Sequence, residues 1–138
     1  MKTETIKQMV IVQAEPIDVY EAFVDPTKHS AFTGSKATGK PKVGGKFTAG
    51  DGYIFGKFLK LEPGKKLVQE WTTTDWAEGH GPSHFELTFK AVKGGTEISM
   101  TQSGVPPEMV KELSEGWQEY YWTPLKKHFR KPKKSKPS

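Results

Sequence analysis

Between Pro107 and Phe129 the residues Met109, Val110, Leu113, Trp117, Tyr120, Tyr121, Leu125 and Phe129 recur at intervals of three and four. That spacing lays a broad apolar stripe along one side of a long α-helix. Pro106 and Pro107 open the helix acceptably, since a first-turn residue needs no backbone donor. Pro124 lies inside it, removes one donor and crowds the preceding turn, so a bend is expected near Tyr120 to Pro124 with the helix continuing beyond. Gly116 costs roughly 1 kcal/mol against alanine in a helix interior. Its position beside Trp117 points to close approach of helix and sheet, or to access to an internal space.

The stripe needs a partner, and the rest of the chain supplies strands. Thr5 to Gln13 is rich in β-branched residues and partly alternating, which suits a strand. A short helix follows from Pro16, with Val19, Tyr20, Phe23 and Val24 at helical spacing, and stops at Asp25-Pro26. A second covers Thr27 to Phe32, capped by Asp25 or Thr27 and stopped by Gly34. From Ser35 to Gln102 no helical period is sustained, and short β-type runs alternate with Gly- or Pro-containing turns. The expected strands are Ser35 to Thr38, Lys46 to Ala49, Tyr53 to Leu61, Lys66 to Thr74, Ser83 to Val92 and Thr96 to Gln102. In the fifth, Phe85, Leu87, Phe89 and Ala91 alternate with His84, Glu86, Thr88 and Lys90, giving one face inward and one outward. Lys93-Gly94-Gly95 turns it into a hairpin with Ile98 and Met100. The class is α+β, a curved antiparallel sheet of about six to seven strands with two short helices, gripped by the long one.

Charge and composition narrow the partners. The net charge is +5, but seven of the 21 basic residues lie within residues 126–138, where there is no acid, leaving 14 basic against 16 acidic in the body. The excess belongs to the C-terminal end, and the body offers no basic stripe with interleaved aromatics, so nucleic acid is not the expected partner. Residues 1–130 are read as one domain, and residues 131–138 as a basic disordered tail, given their Pro and Lys content. The 138 residues contain no cysteine, which excludes disulfides, thiolate metal sites and cysteine nucleophiles. No apolar run approaches a membrane span, and a cytoplasmic location is the expectation.

Several stretches carry a family resemblance: Ala22-Phe23-Val24-Asp25-Pro26, Val43-Gly44-Gly45-Lys46-Phe47, Gly56 to Pro63 with Lys66-Leu67-Val68, Glu70-Trp71, Gly95-Thr96, and Gly116-Trp117 through Tyr120-Tyr121-Trp122-Thr123-Pro124-Leu125-Lys126. In order and spacing these resemble the homologues of the activator of heat-shock protein 90 ATPase, within the START-like superfamily that includes the major birch-pollen allergen. The resemblance covers nearly the whole body. It implies a helix-grip fold with a cavity between the long helix and the concave sheet. It also implies three classes of role: a carrier of a small lipophilic ligand, an interaction module for a chaperone partner, and, ranked last, a cyclase- or hydrolase-type enzyme. The resembled cochaperone carries a second domain, whereas one domain is expected in this sequence.

Candidate cavity residues are Phe47, Gln69, Trp71, Phe85, Leu87, Phe89, Met100, Gln102, Trp117 and Tyr121. Alternation puts Leu67, Gln69 and Trp71 on one face, and likewise Ile98, Met100 and Gln102. If those faces point inward, two amides enter an apolar enclosure, as in a ligand pocket. Each of these residues can equally fill a core and bond to backbone or water. His80 and His84 have a four-residue spacing, but Gly79, Gly81 and Pro82 place them in a loop, so no metal site is expected. His29 and His128 have ordinary places in a short helix and at a basic helix end. Asp75, Glu70 and His84 are the only guesses for a proton-transfer group, and no catalytic constellation or cofactor site emerges. The chain is read as a monomer, or a homodimer formed through Trp76 or Trp122.

Overall fold

Alternation along the strands translates into a seven-stranded sheet. In the computed structural model, which describes residues 2–130, the strands are β1 (Glu4–Val12), β2 (Thr38–Gly39), β3 (Lys46–Ala49), β4 (Ile54–Glu62), β5 (Lys66–Thr73), β6 (Ser83–Val92) and β7 (Gly95–Val105). They form one antiparallel sheet in the order β1-β7-β6-β5-β4-β3-β2. The meander from β2 to β7 is extended by β1, which pairs along β7. Helices α1 (Pro16–Val24) and α2 (Pro26–Thr33) connect β1 to β2, and a long helix over residues 107–129 follows β7. This is the expected helix-grip α+β architecture. The basic tail expected over residues 131–138 lies outside the described residues.

Side chains alternate as a pleated strand requires. On β1, Ile6, Val10 and Val12 are buried while Met9 and Ile11 are exposed. Leu67, Gln69 and Trp71 on β5, and Ile98, Met100 and Gln102 on β7, are all buried. On β6 the pattern holds for Phe85, Leu87 and Phe89, but Ala91 is exposed, because it sits at the hairpin tip beyond the covered part of the sheet. The register shift between Phe58 and Lys60 inserts an extra residue into β4, and the shift between the Glu4–Val105 and Ile6–Gln102 pairs inserts one into β7. Such bulges bend a strand and increase its twist, and so help the sheet to curve.

The predicted strand Ser35 to Thr38 is mostly absent. Thr33 Oγ1 accepts from the Ser35 amide, Ser30 Oγ from Ala37 and Asp51 Oδ1 from Lys36, so these backbone donors are spent on side chains. Only Thr38 and Gly39 pair with β3. The two ends of α2 follow the expected chemistry. Asp25 accepts from the Thr27 and Lys28 amides at 2.9 and 3.2 Å, and Gly34 closes the helix at φ 79°, a conformation that favours glycine.

The long helix changes its winding along its length. A 3-10 turn (Pro107–Met109) leads into α-helix (Val110–Gly116), then a wide π turn (Trp117–Trp122), then α-helix again (Thr123–Phe129). Within the wide turn the Thr123 amide donates to the Gln118 carbonyl, five residues back. Trp122 and Thr123 keep right-handed helical dihedrals, so the misfit of Pro124 is absorbed by wider winding just ahead of it. The disturbance expected at Tyr120 to Pro124 therefore takes the form of a π turn. The wider winding also re-aims side chains. Trp117, Tyr121 and Trp122 all face inward, with Trp122 only 1% exposed, while Tyr120, expected in the apolar stripe, is 62% exposed. Trp122 is thus unavailable as the dimer contact suggested by the sequence, and Trp76 is half-buried.

Removing Trp122 should cost about 3–5 kcal/mol in a Trp122→Ala variant, whereas Tyr120→Ala should stay within about 0.5 kcal/mol. Urea unfolding of both variants measures the difference, and equal losses would contradict an inward Trp122 beside an outward Tyr120.

Candidate functional site

Each inward aromatic of the π turn ends in a polar atom, and each of those atoms is tied to a different element. Trp117 Nε1–H donates to Gln102 Oε1 on β7 at 2.9 Å. Trp122 Nε1–H donates to Gln8 Oε1 on β1 at 2.6 Å. Tyr121 Oη lies 2.9 Å from His29 Nε2 on α2. The glutamines are anchored in turn: Gln102 Nε2 donates to Ser83 Oγ, which donates to the Trp71 carbonyl, and Gln8 Nε2 donates to the Ser114 carbonyl. Trp117 also stacks on Phe85, with ring centroids 4.9 Å apart and planes 11° from parallel.

His29 has a larger role than its place in a short helix suggests. It is buried, with Nδ1 3.1 Å from the Phe23 carbonyl. A carbonyl only accepts, so Nδ1 carries a proton. Burial pulls the ring's pKa below the usual 6.5, so at pH 7 it is neutral and Nε2 accepts from the Tyr121 hydroxyl, whose own pKa burial pushes up. The signal that could have found it is the three-residue spacing of His29 and Phe32, the two buried residues of α2.

Two spaces lie beside these rings. The outer one, about 420 Å³ and open on one side, is bounded by Leu113, Gly116, Trp117, Tyr120 and Tyr121 on the helix, by Trp71 on β5, and by Tyr53 and Ile54. The inner one is only about 10 Å³, enclosed by Phe23, His29, Phe47, Gln69 and Phe85 together with Trp71, Trp117 and Tyr121. Trp71, Trp117 and Tyr121 form the partition between the two.

Of the sequence candidates, Trp71, Trp117 and Tyr121 border both spaces, and Phe47, Gln69 and Phe85 border only the inner one. Gln102 meets the site through Trp117, while Leu87, Phe89 and Met100 are buried and border neither space. Sequence reasoning misses Tyr53, Ile54, Leu113 and Tyr120 as walls, because the first two sit at a strand start, while Leu113 precedes and Tyr120 lies within a turn whose winding is irregular. Gly116 reflects access and not close approach: a Cβ there would meet nothing nearer than Tyr120 Cδ2 at 3.7 Å.

The proton-transfer guesses lie elsewhere. Hydrogen bonds from Thr73 and Tyr53, each 2.7 Å, hold the Asp75 carboxyl below the usual range. It is an ionised acceptor that does not border the pocket. Glu70 borders a shallow depression, about 610 Å³, formed with Phe55 and the 74–82 loop, and His84 is exposed. Among the described residues no group of three or more His, Asp or Glu side chains is close enough to hold a metal.

A curved sheet gripped by a long C-terminal helix, with an aromatic pocket between them, defines a START-like helix-grip domain. The particular family follows from the comparisons: the chain belongs to the Activator of Hsp90 ATPase homolog 1-like family, whose model matches residues 13–130. It is 34% identical over 125 residues to the human activator of 90 kDa heat shock protein ATPase homolog 1, covering 91% of this chain and 36% of that protein. It is 36% identical over 117 residues to the Dictyostelium discoideum homologue, covering 84% of this chain and 30% of the other. The chain thus spans about a third of the length of these curated relatives. Among solved structures, an HSP90 activator from Plasmodium falciparum superimposes with a TM-score of 0.81 at 25% identity, over 97% of this chain and all of that one.

His29 makes stability depend on pH. Its pKa is lowered in the fold, so the unfolded chain takes up the proton first, near pH 6.5. The contribution is complete above that value and is lost as pH falls below it. Urea midpoints at pH 7.5 and pH 5.0 should differ more for the wild type than for His29→Asn, and equal differences would contradict a buried neutral ring.

Proposed function

We propose that this domain binds a small, flat, lipophilic molecule in the outer pocket between the long helix and the sheet. The observation that carries the reading is the pocket itself. It has about 420 Å³ of space walled by Tyr53, Trp71, Trp117, Tyr120 and Tyr121, within the usual size range of ligand sites and rich in ring faces. Gly116 supports it, since the missing side chain keeps the mouth open at a position where alanine would favour the helix. The filled interior behind the partition favours a ligand seated near the surface over one swallowed by the fold. A cytoplasmic location goes with this reading, and among the described residues no helix is long and apolar enough to cross a membrane.

Thermal-shift measurements with naphthalene-sized aromatic compounds test it. A binder at a hundred times its Kd should stabilise the domain by about 2.7 kcal/mol. Gly116→Leu, which puts a side chain into the mouth, should remove the shift while leaving the fold intact. No shift with any compound would overturn the reading.

A second reading is favoured by the names of the relatives, which are activators of a chaperone ATPase. In it, a chaperone partner of the heat-shock protein 90 type docks on the exposed face of the sheet, where Met9 and Ile11 on β1 and Phe55 on β4 stand out of the surface. Adding the domain to such a chaperone should then raise its ATPase rate, and Ile11→Asp should lower the stimulation. An unchanged rate with no detectable complex removes this reading.

A further inference from the structure

Four tryptophans give four indole N–H groups, and among the described residues three of them donate: Trp76 to the Gly81 carbonyl, Trp117 to Gln102 and Trp122 to Gln8. Trp71 is the exception. It is 4% exposed, and its N–H has no hydrogen-bond partner among the described residues. Two residues earlier on the same face of β5, Gln69 is 6% exposed, and its side-chain amide likewise has no hydrogen bond among the described residues. Buried indole and amide groups are ordinarily paired, and leaving them unpaired is costly. Both border the inner space, and Trp71 also borders the outer pocket. These two residues thus sit side by side at the inner space, with Trp71 on the wall it shares with the outer pocket.

The remaining chemistry at this point is neutral. Among the described residues, neither space is bordered by a lysine or arginine. The imidazole of His29 is uncharged, with Nδ1–H committed to the Phe23 carbonyl and Nε2 to Tyr121. The one carboxylate, Glu112, lies at the outer pocket. An anion entering this site would be desolvated with no cation to meet it and a negative charge at the entrance. Size restricts the group further. About 10 Å³ is close to the space of one water-sized probe, enough for a single oxygen and too little for a carboxylate. Trp71 N–H supplies a donor, and the Gln69 amide supplies donors and an acceptor.

Resting on the pocket reading above, we infer that Trp71 and Gln69 form a specificity subsite that takes a single uncharged oxygen, a hydroxyl or carbonyl, on the inner edge of a flat aromatic ligand. Ring faces of the outer pocket hold the ligand body. The oxygen passes the partition beside Trp71, the shared ring whose N–H has no hydrogen bond among the described residues, and accepts from that N–H. A hydroxyl also donates to Gln69 Oε1. Trp117 and Tyr121, each tied by its own hydrogen bond, stay in place as the other two sides of the opening.

Naphthalene, 2-naphthol and 2-naphthoate, titrated into the wild-type chain and into Gln69→Met at pH 7, test this. Naphthol should bind the wild type about tenfold tighter than naphthalene, and naphthoate at least about tenfold weaker than naphthol. The Trp71 indole N–H resonance should move downfield with naphthol and not with naphthalene. Gln69→Met, close in shape but without the amide, should bring naphthol to within about threefold of naphthalene while naphthalene binding is kept. Equal binding of naphthol and naphthalene by the wild type, or an unmoved Trp71 resonance, overturns the subsite and leaves the pocket reading standing. No binding of any of the three overturns both. The wild-type comparisons decide the matter if Gln69→Met does not fold.

Discussion

Hydrogen bonds at the tips of three buried aromatic side chains set the position of the long helix. Trp117, Tyr121 and Trp122 project from one π turn and reach β7, α2 and β1 respectively. Apolar burial alone holds a helix against a sheet but lets it slide or rotate, because it is not directional. Three directional bonds to three elements remove that freedom. The π turn makes this possible, since five-residue spacing brings Trp122 onto the same face as Trp117. Pro124 follows just after it, where the wide winding accommodates a residue with no amide hydrogen.

The same packing explains where open space is found. Phe23, Phe32, Phe85, Trp117 and Tyr121 pack ring against ring beneath the helix, and only about 10 Å³ is left among them. The larger space lies outside the partition, beside the middle of the helix, where Gly116 and the turned-out Tyr120 leave room. One turn of helix therefore does two things. It seals the core with the residues it turns in, and it shapes a pocket with the glycine before it and the tyrosine it turns out.

Much of the fold is legible in the sequence because its signals are local. Alternation in Phe85-Leu87-Phe89, the Asp25 cap, the Gly34 stop and the Pro107 to Phe129 stripe each depend on a few neighbouring residues. The strand expected at Ser35 to Thr38 fails because its amides bond to side chains instead of a neighbouring strand: Thr33 and Ser30 just before it, and Asp51, 15 residues on, which only the tertiary fold brings near. The site is legible in part for the same reason. Gln69, Trp71, Trp117 and Tyr121 follow from strand and helix periods. His29 escapes such reasoning because its role comes from Phe23 and from Tyr121, 92 residues away. Tyr120 falls on the wrong side because an α-helical period does not carry through a π turn.

The most direct measurement of the central claim is the set of intermolecular nuclear Overhauser effects between bound naphthalene and the protein. Contacts to the Gly116 Hα protons and to the rings of Trp71, Trp117 and Tyr120 are predicted, because these atoms surround the outer pocket. Contacts confined to Met9, Ile11 or Phe55 on the outer face of the sheet would contradict it.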